Sequence, residues 1–265
     1  MILLLIVVAC ETQPKKEVEQ VEEVTTSAQV NSVNQHLVDS LNRVFNKLDL
    51  VDITLINSSI QVDLKYATKD NFMHVVLYDT LTKVYLQREV AERLSKCQDY
   101  LDSLKPGYAL IVFDGVRPQQ VQREMWEAMD SVPVYRRGKF VSNPGKGSVH
   151  NFGAAVDVSI VDAKGKLLDM GAGYDDFRRI AFPQHEAEFL ATGELSQHQV
   201  NNRKLLRRVM ASQKFQNIPS EWWHFNAYSR ITASHRYKML VTESGETKWF
   251  RIVPKKDSTA VEESL

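Results

Sequence analysis

The chain has 265 residues, with 33 basic and 33 acidic side chains and no net charge. Hydrophobic residues make up 43% and charged residues 25%, the balance of an ordinary globular protein, which excludes collagen-like, coiled-coil and wholly disordered chains. Nucleic-acid binding usually demands a basic face, and nothing here advertises one. The two cysteines, Cys10 and Cys97, form no CxxC pair, so a zinc ribbon or thioredoxin-type site is excluded. Any metal must be held by histidine and carboxylate.

The first ten residues read M-I-L-L-L-I-V-V-A-C. Eight apolar residues are too few to span a bilayer, which takes about 20, but they match the core of a secretion signal, although the usual preceding basic residues are missing. Val7-Val8-Ala9-Cys10 resembles a lipoprotein cleavage box, with Cys10 as the lipidated residue. The alternative is a buried apolar start with a chance cysteine. Residues 11–35 hold five glutamates and no aromatic residue, so they bury too little apolar surface to order themselves. They read as a tether between a membrane and a domain over 36–254, followed by a polar tail over 255–265. The expected location is the cell envelope, periplasmic face, anchored through Cys10; it is the cytoplasm if residues 1–10 are not a signal.

Helical spacing of Leu37, Leu41, Val44, Phe45 and Leu48 predicts a helix over 35–49. Alternation in I-Q-V-D-L-K-Y predicts a half-buried strand over 60–66 with Tyr66 on its apolar face. Three- and four-residue steps from Leu86 to Leu104 predict a helix over 83–104, stopped by Pro106-Gly107. Cys97 falls on its apolar stripe, as a buried free thiol. Residues 108–113 read as a buried strand, with Pro118 opening a helix to about 130. A loop is expected over 138–149, a strand over 155–161, a short helix over 175–182 and a basic helix over 197–213. A hairpin is expected from 236–243 and 247–253 around Ser244-Gly245. The interleaving predicts an α+β single domain, with a mainly antiparallel central sheet flanked by helices and the site on the sheet.

Reactive groups concentrate in three segments. S-V-H-N-F-G-A-A-V-D (148–157) places His150 seven residues before Asp157, with Gly153 between them to permit a bend. E-W-W-H (221–224) places Glu221 three residues before His224. His150, Asp157 and His224 would give two nitrogens and one oxygen, and three protein ligands are the pattern of a catalytic zinc site. Glu221 would then stand beside the metal as a free carboxylate, which requires a turn or bulge at 221–224, because a regular strand would send it to the opposite face from His224. On spacing alone, two ordinary histidines remain as good a reading. F-D-G-V-R-P (113–118) puts Arg117 at a helix start, where a cation is unfavourable without an anionic partner. That partner is either Asp114 or a charge arising in the site.

Taken in order, V-D-L-K-Y-A-T-K-D-N-F (62–72), F-D-G-V-R-P, S-V-H-N-F-G-A-A-V-D, M-G-A-G-Y-D (170–175) and S-E-W-W-H-F (220–225) resemble the D-alanyl-D-alanine dipeptidases of the vancomycin-resistance type. These sit within a wider zinc peptidase family that includes D,D-carboxypeptidases. The resemblance covers about residues 55–228. It implies one zinc per chain held by His150, Asp157 and His224, with Glu221 as general base and then acid. It also implies Arg117 at the developing oxyanion, Ser148 and Asp175 gripping the substrate's free amine, and Tyr66 lining the pocket. The expected partner is a small dipeptide, with no nucleic acid. A carboxypeptidase acting on peptidoglycan stems and a non-catalytic zinc-bearing envelope protein are the alternatives; retention of Glu221 and Arg117 argues against the second. Lys69 and His74 stand where relatives usually carry Trp and Gly, and are expected at the pocket rim. His36, His74, His185, His198 and His235 have no metal-like partner spacing and read as ordinary. Trp222 and Trp223 read as core and pocket wall.

Overall fold

A computed structural model describes residues 39–138 and 140–253. The signal, the Cys10 anchor, the tether, His36 and the polar tail lie outside the described residues. Among those described, no helix is long and apolar enough to cross a membrane.

The described residues open with a helix over 39–47 (α1). Strand Leu50–Asp52 (β1) follows, then a one-turn helix Ile53–Ile56 (α2) capped by Asp52, and strand Gln61–Val62 (β2). Strand Tyr85–Gln87 (β3) leads directly into helix Arg88–Leu104 (α3). Strand Ala109–Asp114 (β4), helix Gln119–Ala128 (α4) and the short helix Val134–Arg137 (α5) come next. Strand Ala155–Val161 (β5) precedes helices Glu186–Ala191 (α6) and Gln197–Ala211 (α7). The described chain ends with strands Gln216–Asn217 (β6) and His224–Asn226 (β7), helix Arg230–Arg236 (α8), and strands Met239–Leu240 (β8) and Thr247–Lys248 (β9).

The central sheet runs β2-β4-β5-β7-β6. Only β2 and β4 are parallel; the other three pairings are antiparallel. This is the α+β architecture the interleaving predicts. β5 is buried at all seven positions, apolar except for Asp157 and Ser159, as a central strand covered on both faces should be. Its register places Asp157 opposite Asp114 of β4 on one side and opposite His224 of β7 on the other. Three polar residues therefore form a row across the middle of the sheet.

α3 buries Val90, Ala91, Leu94, Cys97 and Leu101 and packs against β3, β4 and α7. Burial pushes the Cys97 thiol up to about 12, so it stays protonated and inert at neutral pH. α7 begins at a reciprocal capping box between Ser196 and Gln199.

Several boundaries differ from expectation. Residues 85–87 are a strand paired with β1, because Val84 to Gln87 are buried without a helical gap. Only 61–62 of the expected 60–66 strand is paired; the chain then turns into a 3-10 turn, Lys65–Ala67, yet Ile60, Leu64 and Tyr66 are buried as the alternation requires. The expected helix at 175–182 is absent. Asp175 takes a left-handed φ of 58°, and Pro183 holds Phe182 extended, leaving one 3-10 turn at Arg179–Ala181. The terminal hairpin pairs only 239–240 with 247–248, and Arg236 belongs to α8. That helix buries only Ala233 and Ser234, too few to leave a periodic signal.

Candidate active site

The S-V-H-N segment forms a 3-10 turn, His150–Phe152, immediately before β5. Gly153 ends it at φ 63°, where a Cβ would lie 2.6 Å from Leu50 Cδ2, so the bend needs glycine on both conformational and steric grounds. The turn folds His150 back onto Asp157. Asn151, fully buried, staples it to the Arg117 loop by donating to the Arg117 carbonyl (2.8 Å) and to Gln122 Oε1 (2.9 Å).

His150, Asp157 and His224 converge from three elements, their ligand atoms all within 4.8 Å of one another. His224 Nδ1 lies 3.0 Å from His150 Nε2 and 3.0 Å from Asp157 Oδ1, and His150 Nε2 lies 3.3 Å from Asp157 Oδ1. Donor atoms about 2.0–2.2 Å from one tetrahedral zinc lie roughly 3.3–3.6 Å apart, so an outward shift of about 0.3 Å in two of the three separations would let the set hold such an ion. The outer ring nitrogens are also committed. His150 Nδ1 donates to the Gly115 carbonyl (2.7 Å) and His224 Nε2 donates to Asn226 Oδ1 (2.9 Å). This leaves lone pairs on His150 Nε2 and His224 Nδ1 facing the centre of the triad. Burial opposes charge on Asp157, but His150 and then His224 outweigh it and hold the carboxyl well below its ordinary range.

Glu221 stands apart from the triad, with Oε2 3.9 Å from His224 Nδ1. The backbone bends at Trp222 and Trp223, meeting the expected departure from a regular strand. Asn217 Nδ2 holds that bend by donating to the carbonyls of Glu221 (2.8 Å) and His224 (2.9 Å). Burial raises the Glu221 carboxyl to about 7, against the opposing pull of His224.

Arg117 is not an unpartnered cation. Its Nε and Nη2 both donate to Asp114 Oδ2, at 2.9 and 2.7 Å, and Asp114 Oδ1 accepts from Tyr78 (2.7 Å). It is nonetheless a buried residue lining the cavity, stacked over Tyr66 at 4.9 Å, with Nη2 3.6 Å from Asp157 Oδ2. The pairing with Asp114 holds the guanidinium in place beside the triad.

Tyr66 donates to the Asp175 carboxylate at 3.2 Å, and burial, reinforced by the charge of Asp157, raises that carboxyl to about 8. Ser148 Oγ is buried with no hydrogen-bond partner among the described residues, which leaves it available to a ligand. Tyr66, Arg117, Ser148, His150, Asp157, Asp175, Glu221 and His224, all read from motifs, thus line one cavity of about 250 Å³. That is below the roughly 300–1,000 Å³ of drug-sized ligand pockets. Lys69 does not line it, and His74 lines a separate, larger groove of about 750 Å³ that shares Asp175 with the cavity. His185, His198 and His235 pair with Glu188, Asn202 and the Ile252 carbonyl, away from the triad. Trp223 is a buried cavity wall and Trp222 is buried beside the groove.

Residues 46–241 match the peptidase M15 family, described as D-ala-D-ala dipeptidase. The chain belongs to that family. Among the relatives of this M15 peptidase is a D-alanyl-D-alanine dipeptidase of Escherichia coli (strain K12), 32% identical over 67% of this chain and 83% of the relative. D-alanyl-D-alanine dipeptidases of Enterococcus faecium (28% identical, 63% of this chain, 85% of the relative) and Synechocystis (26%, 59% and 74%) are also similar.

Motif reading passed over four residues that shape the M15 site: Asn151, Asn217, Asn226 and Tyr174. The asparagines act on backbone, on an imidazole or, for Asn151, also on the Gln122 amide, which no spacing rule flags. Tyr174 sits beside a predicted site residue but projects its hydroxyl elsewhere.

Proposed function

We propose that the chain is a zinc-dependent dipeptidase acting on D-Ala-D-Ala or a similar dipeptide, with one zinc held by His150, Asp157 and His224. The observation that carries this reading is the convergence of that triad with a separate carboxylate, Glu221, 3.9 Å away inside a small cavity. Zinc held there supplies Lewis acidity and brings the pKa of a water toward about 7. Glu221 accepts the proton of the attacking water and returns it to the leaving amine; standing outside the triad, its carboxylate is free for both transfers. Arg117 donates to the carbonyl oxygen as it gains charge, and its fixed pairing with Asp114 means little reorganisation at that moment. Ser148 and Asp175 hold the free amine, which selects dipeptides because a longer chain presents its amine too far away.

One observation favours a second reading, a carboxypeptidase on stem peptides: the 750 Å³ groove adjoins the cavity at Asp175 and has room for a longer chain. Purified protein should hydrolyse D-Ala-D-Ala and release no D-Ala from a stem pentapeptide under the same conditions. Preference for the pentapeptide would replace the dipeptidase reading with the carboxypeptidase one.

The proposed setting is the cell envelope, with the domain tethered through a lipid on Cys10. Cys10→Ser should abolish acyl labelling and membrane retention. A Cys10→Ser protein that stays on the membrane would remove the anchor from this account.

A further inference from the structure

The two oxygens of Asp157 have different surroundings. Oδ1 faces both imidazoles, at 3.0 and 3.3 Å. Oδ2 accepts a hydrogen bond from the Tyr174 hydroxyl at 3.1 Å. Arg117 Nη2 is 3.6 Å from the same oxygen, but its hydrogen bonds go to Asp114. Among the described residues, Tyr174 is therefore the hydrogen-bond donor to Oδ2. Its ring is held in place by Phe113, Trp223 and Tyr66, with centroids 5.0, 5.5 and 6.2 Å away.

We propose that Tyr174 is a positioning residue for the metal site, its hydroxyl holding Asp157 as a one-oxygen ligand. This rests on the zinc reading above. A carboxylate with a free second oxygen can rotate, chelate through both oxygens, or draw Arg117 away from Asp114. The Tyr174 hydrogen bond opposes all three, and it keeps the Arg117 fork directed by Asp114. In M-G-A-G-Y-D, phenylalanine at 174 would keep the aromatic packing, but only tyrosine can donate.

Tyr174→Phe removes the hydroxyl and leaves the ring, so the aromatic packing stays and the apo-protein should fold, with a melting temperature lowered modestly by the unsatisfied Asp157 oxygen. Zinc affinity of the full chain, measured by competition with a chromophoric chelator, should fall about 10- to 100-fold, the range for lost partners of metal ligands. The visible spectrum of the cobalt-substituted variant should also change in intensity, because it reports coordination number and geometry. An affinity and a cobalt spectrum indistinguishable from the parent's would overturn the proposal. So would a lowered apo melting temperature with unaltered zinc affinity, which assigns the hydroxyl to folding alone. Failure of the zinc reading has its own signature, a parent chain that binds no zinc, and that result overturns this proposal with it.

Discussion

Glu221→Gln should lower kcat on D-Ala-D-Ala by at least about a hundredfold while zinc stays near one per chain. General acid–base catalysis typically contributes about 10²–10⁴-fold, and here one carboxylate serves both proton transfers. Glutamine keeps the size and polarity of the side chain but cannot take a proton. The bend at 222–223 is held by Asn217 through backbone carbonyls, so it does not depend on the Glu221 carboxylate. Glu221 also lies outside the triad, 3.9 Å from the nearest ligand nitrogen, which is why zinc should be retained. Kinetics together with metal analysis separate the roles. Loss of zinc would make Glu221 a ligand, and retention of both zinc and activity would require another base.

The second large effect is expected at Arg117. A lost oxyanion donor typically removes about 10²–10³ in kcat, with a smaller change in KM, because only interactions strengthened in the transition state raise kcat. Arg117→Ala tests this poorly. Asp114 is completely buried, and removing its cation strands a carboxylate, a change that costs about 3–5 kcal/mol of stability in comparable buried pairs. Arg117→Lys is the cleaner variant, since it keeps the charge beside Asp114 but lacks the planar fork that reaches both Asp114 and the cavity. A lower kcat at unchanged melting temperature supports the oxyanion role. An effect confined to KM would assign Arg117 to the substrate's carboxylate.

Much of the site is legible because each motif is local. S-V-H-N-F-G-A-A-V-D contains the turn, the glycine that permits it and the strand that follows, so His150 and Asp157 can be brought together from ten residues. The run 155–161 is buried throughout and gives the strand its true limits. Asp157 and His224 are different. They meet through antiparallel register between strands 67 residues apart in sequence, and β7 is only three residues long, too short for a period-2 signal. Their convergence follows from the family resemblance, not from spacing. Arg117 shows the opposite limit. Its place at a helix start left two partners open, and the fold joins them: Asp114 orients the guanidinium, which in turn faces the cavity. Tyr174 and the three asparagines were not legible as site residues, because their roles depend on where one hydroxyl or amide points. The helix expected at 175–182 fails for a local reason, a left-handed Asp175 and a proline at 183.

Zinc titration of the stripped protein tests the central claim most directly. The full chain is freed of metal with a chelator, and D-Ala-D-Ala hydrolysis is followed as zinc is added back. The account predicts no hydrolysis without metal and full activity at one zinc per chain, with that restoration lost in His224→Ala. Hydrolysis that persists in the stripped protein, or that returns equally well in His224→Ala, would contradict it.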